Sequence, residues 1–96
     1  MTSLDDLRRN YRVAFLRYLP RREEAPLAAA YEIGRAAVVN RLSLLDVAQV
    51  HHEVLLEVLK DVSPEHVLEL AIGASEFFLE VLATYDMAQR GFHSEP

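Results

Sequence analysis

Ninety-six residues make one small domain, and a hydrophobic fraction of 51% gives it enough apolar surface for a single core and excludes disorder. The absence of cysteine excludes a disulfide framework, a thiol nucleophile and cysteine-ligated zinc. The net charge of −5 is uneven: residues 1–22 carry six arginines against two aspartates, and the remainder carries four bases against thirteen acids, so most of the surface repels phosphate and nucleic acid is not an expected partner. No run of about 18 apolar residues is present, so no membrane span is expected. The start, MTSLDDLRR, lacks the apolar segment of a signal peptide, which fits a cytoplasmic protein. The basic segment reads either as a solvated helix face or as a surface lying against acids, such as those of a second copy.

The breakers divide the chain into four helices, at about 3–19, 25–41, 44–60 and 64–90. Thr2 and Ser3 ahead of Asp5 and Asp6 resemble a capping box, and Leu4, Leu7, Tyr11, Phe15 and Tyr18 recur at helical spacing before Pro20, the expected stop. Pro26 suits the first turn of the second helix, just after Glu23 and Glu24. Leu27, Ala30, Tyr31, Gly34, Ala37 and Val38 mark its inward face. Gly34 costs up to about 1 kcal/mol in helix propensity, and close packing against a neighbour is the expected compensation. Ser43 and Asp46 form a capping box for the third helix, and Lys60 suits its negative end. Ser63-Pro64-Glu65-His66 opens the fourth with a cap, a proline and an acid, and Gly91 is its expected stop. A helix of that length is long for so small a domain, and Gly73 is a candidate kink. No strand-like alternation or internal repeat competes, so the expected fold is all-α, a four-helix bundle with a long C-terminal helix. The whole of 1–96 reads as one helical regulatory and dimerisation domain, expected to be the N-terminal part of a longer signalling protein.

The segment VHHEVLLEVL places His51, His52, Glu53 and Glu57 on the third helix. With 100° per residue, Asp46, Gln49, Glu53, Glu57 and Lys60 form its wet stripe, His51 points to the middle of the apolar face, and His52 lies at the border. Neither histidine shares a face with the glutamates. The Glu-x-x-His order of carboxylate-bridged bundles and the His-Glu-x-x-His of zinc proteases are both absent. His66 and Glu69 are a reversed pair without further ligands. His51 therefore reads as a core histidine with one ring nitrogen paired to a polar group, for which Tyr11, Tyr18, Tyr31 and Tyr85 are the available hydroxyls; unpaired burial would cost a few kcal/mol. A small metal-binding bundle or enzyme using His51, His52 and the glutamates is the alternative. No phosphate loop or nucleophile elbow is present, and the pairs Glu76/Glu80 and Glu65/Glu69 read as solvated faces, so no catalytic, cofactor or metal residues are expected.

The fourth helix has apolar residues beyond one stripe. Ala71, Ala74, Phe78, Val81 and Tyr85 serve the core, yet Ile72, Leu79, Ala83 and Met87 lie on the side of Glu65, Glu69, Glu76 and Glu80. A helix apolar on two sides needs a second cover, and another copy or a partner protein supplies it.

The segments VHHEVL and FFLEVLATYDMAQ, with weaker agreement in NYRVAFLRYL and at Gly34-Arg35, resemble the N-terminal domain of RsbU-type serine phosphatases, among the KaiA/RsbU-like helical dimers. The resemblance spans about residues 5 to 90. It implies a cytoplasmic, all-helical homodimer of the bacterial partner-switching stress pathways, which binds a switch kinase of the RsbT type. Binding in that family activates a separate metal-dependent phosphatase domain that lies outside these residues, so the resemblance implies no activity here. It places Ala28, Leu79 and Ala83 near the partner-binding surface, to which the wheel adds Ile72 and Met87. Tyr11, His51, Phe78 and Tyr85 are the structural core of this reading.

Overall fold

The computed structural model describes residues 3–21 and 24–93. Four α-helices follow in order: α1 (Ser3–Arg21), α2 (Glu24–Val39), α3 (Leu44–Leu59) and α4 (Val67–His93). They form an all-α bundle measuring 51 × 28 × 19 Å, with α4 as its longest member at 27 residues. Among the described residues there is no strand. Arg8 meets Glu53 and Arg12 meets Glu57, so α1 and α3 run in the same direction. Gly34 abuts Thr84, and Val38 and Leu42 share a recess with Tyr85 and Gln89, so α2 and α4 also run together. The α2–α4 contact is the most extensive, and α1 touches the other three helices.

The ends of the helices follow local chemistry. Ser43 and Asp46 make both bonds of a capping box: the Asp46 N–H donates to Ser43 Oγ (3.1 Å) and the Ser43 N–H to Asp46 Oδ2 (3.0 Å). α2 ends two residues before the expected 41, because Arg41 turns into the left-handed region at φ 61°. The Arg41 N–H then donates to the Val38 carbonyl and the Leu42 N–H to the Ala37 carbonyl, which satisfies the open helix end in the Schellman manner. Three stops differ from expectation. α1 passes through Pro20 and ends at Arg21; a proline removes one backbone bond and crowds the turn before it, so it fixes a helix end to within a turn rather than to a residue. Pro64–His66 is a 3₁₀ turn ahead of α4, and Ser63 caps no backbone group. Its Oγ instead pairs with His66 Nδ1 at 2.7 Å. α4 runs through Gly91 to His93. A glycine only permits a left-handed stop, and none of the described glycines is at positive φ. Thr2 and Glu23 lie outside the described residues.

The core is an aromatic stack between α1 and α4. Tyr11, Phe15 and Phe77 are fully buried, with edge-on ring pairs at 5.2 Å (Tyr11–Phe77) and 5.4 Å (Phe15–Phe77). Val47, Val50 and Val54 close it from α3, and Ala30, Ile33, Ala37 and Val38 from α2. Leu7 and Tyr18 are buried as the spacing of α1 requires. Two faces are rotated from expectation. On α4 the core residues are Ala74, Phe77, Val81 and Tyr85, while Phe78 is half-buried and Ala71 exposed. On α2 Ile33 is buried, and Tyr31 is exposed.

Candidate partner-binding surface

His51 lies at the junction of α1, α3 and α4, where it is half-buried. Its ring stacks on Phe78, with centroids 3.9 Å apart and planes 5° apart, and meets the edges of Tyr11 and Phe15. The Tyr11 hydroxyl and His51 Nδ1 are 2.5 Å apart. Burial, reinforced by His52 next to it, pulls the His51 pKa down to about 4. Burial pushes the Tyr11 hydroxyl well above the usual tyrosine value. Both groups are therefore neutral near pH 7, and the Tyr11 hydroxyl donates to Nδ1. This satisfies the ring nitrogen that sequence reasoning required to be paired. It also occupies the nitrogen that a metal would use. Among the described residues no three of His, Asp and Glu converge as metal ligands. His52 is exposed and points elsewhere. Tyr18 and Tyr85 hold other parts of the bundle together: the Tyr18 hydroxyl donates to Glu76 Oε1 (2.8 Å) and the Tyr85 hydroxyl to the Leu42 carbonyl (2.9 Å).

The basic face of α1 meets acids within its own chain. Arg8 Nε lies 2.9 Å from Glu53 Oε1 and Arg12 Nη2 lies 2.7 Å from Glu57 Oε2, so the wet stripe of α3 is the surface that part of α1 covers. Glu53 holds the Arg8 guanidinium above its usual pKa through a hydrogen bond and charge. Arg9 pairs with Asp6 one turn earlier on α1.

The expected partner-binding residues are all on the surface. Ile72 is 44% exposed, Leu79 62% and Met87 59%, and Ala83 is exposed beside them. Spaced at four, seven and four residues, they share one side of α4. Ala28 is exposed on α2. It lies six residues before Gly34, as Phe78 lies six before Thr84, which sets it at the level of Leu79 across the α2–α4 contact. The structure therefore places Ala28, Ile72, Leu79, Ala83 and Met87 on adjoining parts of one surface. Sequence reasoning missed Leu68, which at 72% exposed extends the same stripe by one turn; its position four residues before Ile72 was the available signal. It also missed a groove of about 950 Å³ between α1 and α2, bordered by Arg9, Arg17 and Glu32 over a floor containing Ile33. No helix among the described residues is long and apolar enough to cross a membrane.

An all-helical bundle with an unpartnered apolar stripe along its longest helix, and a histidine devoted to packing, defines a protein-binding regulatory domain rather than a catalytic one. The family model described as "Phosphoserine phosphatase RsbU, N-terminal domain" matches residues 9–88, and the chain belongs to that family. It is a regulatory N-terminal domain of the kind found in partner-switching phosphatases, distinct from their catalytic domain. No curated protein and no solved structure gives a significant match.

Proposed function

We propose that this chain is a non-catalytic interaction domain of a cytoplasmic bacterial stress-signalling protein. It dimerises, binds a switch-kinase-type activator resembling RsbT, and passes that event to a phosphatase or other output domain of a longer chain. The observation that carries the reading is the stripe Leu68, Ile72, Leu79, Ala83 and Met87, left open on a domain of a regulatory family. An isolated apolar residue on a surface means little, but a stripe along most of a helix of 27 residues is a face awaiting a partner. Burial of Leu79 or Ile72 at such a contact contributes about 1.5–3 kcal/mol each. Ala28 and Ala83, being small, let a partner element approach both helices together.

Leu79→Asp tests the assignment. The exposed position tolerates a carboxylate, so circular dichroism retains its helicity, while capture of the cognate switch kinase falls at least about a hundredfold, the equivalent of roughly 3 kcal/mol. Unchanged capture would place the kinase elsewhere on the domain. Metal analysis of the purified protein addresses the metal-bundle alternative: stoichiometric iron, zinc or manganese would favour it.

A further inference from the structure

We infer that the groove between α1 and α2 is where the second copy of this chain sits, which rests on the homodimer reading above and assigns it a face. The groove has opposite charges on its two walls. Arg17 stands on the α1 wall and Glu32 on the α2 wall, both exposed. Arg8, Arg9 and Arg12 on the same helix have carboxylate partners within the chain. Among the described residues neither Arg17 nor Glu32 makes an ion pair. Between the walls the lining is apolar and shallow: Val13, 47% exposed, with Ala29, Ile33 and Ala36.

A surface with one sign of charge on each wall is its own complement. A two-fold axis running along the groove lays α1 of one copy over α2 of the other, so Arg17 of each meets Glu32 of its mate, and the contact closes after two subunits. The small side chains of Ala29 and Ala36 allow the helices to approach, and Val13 loses its water. A foreign acidic helix would satisfy Arg17 and be repelled by Glu32; a basic one would do the reverse. The stripe on α4 lies on the other side of the α2 ridge and remains open to a different protein, so the two contacts do not compete.

Charge reversal reads this directly in sedimentation equilibrium of the 96-residue chain. Arg17→Glu and Glu32→Arg each set like charges opposite one another twice per dimer, and each weakens dimerisation at least about thirtyfold. The double variant Arg17→Glu/Glu32→Arg restores the pairs in reverse and returns the dissociation constant to within about threefold of the parent. Leu79→Asp leaves it unchanged. Single variants that dimerise like the parent overturn the face and leave the homodimer standing, as do single variants that dissociate without recovery in the double. A parent chain that is monomeric at millimolar concentration overturns the homodimer as well. Both positions are exposed, so circular dichroism of every variant matches the parent.

Discussion

At Gly34 the two helices approach to a distance that admits no side chain. A Cβ there would fall onto Thr84 Oγ1 and the Val81 carbonyl oxygen, and Thr84 itself is anchored by donating to that carbonyl at 3.1 Å. Gly34→Ala gains up to about 1 kcal/mol of helix propensity but must push backbone aside, so the expected net effect is a loss of about 1–3 kcal/mol in urea unfolding. His51 sets a second expectation. Its pKa falls from 6.5 to about 4 on folding, so the folded state disfavours the proton that the unfolded chain accepts. Its contribution is fully present above about pH 6.5 and is lost as the pH falls towards 4. With the ring only half-buried, solvent reduces the contribution to the order of 1–2 kcal/mol. The slope of stability between pH 6.5 and 4 should therefore flatten in His51→Gln, measured by denaturation at each pH. The need for a hydroxyl beside His51 was legible in the sequence, because a histidine on an apolar face must be paired. Which tyrosine supplies it depends on how α1 lies across α3, and no local signal carries that.

The elements hold together by contacts of unequal weight. The Arg8–Glu53 and Arg12–Glu57 pairs join α1 to α3 across exposed positions, where water and salt screen them. A double-mutant cycle on Arg8 and Glu53 should give a coupling of about 0.2–1 kcal/mol that shrinks in 1 M salt. Loss of the cap by Ser43→Ala should cost about 1 kcal/mol, measured by thermal unfolding, because the Asp46 N–H then lacks its acceptor. That cap was legible since it is built from residues three apart. Phe77 was not: periodicity shows that α4 has a buried side, but the choice of Phe77 over Phe78 is a rotation of 100°, decided by whether α1 or α3 supplies the deeper packing. The same holds for Ile33 and Tyr31 on α2. Pro64 likewise announced a helix start in the sequence, and the tighter 3₁₀ turn there reflects a Ser63 side chain engaged by His66.

For the whole molecule, the arrangement separates two surfaces. The apolar side of α4 was legible, because too many apolar residues fell outside the stripe that one core needs. The groove between α1 and α2 was not, since its walls come from helices whose spacing is a tertiary property. If one surface serves a copy of the chain and the other a kinase, Leu79→Asp and Arg17→Glu should affect different partners, and a gel-filtration series with both variants separates the two losses. The length of α4 has a mechanical meaning. At 1.5 Å per residue, its 27 residues extend about 40 Å as a single lever. A tilt of about 5° imposed at Leu68 would swing the far tip by roughly 3–4 Å, comparable to the width of a side chain. A small wedge at the foot of this helix is thereby magnified at its head.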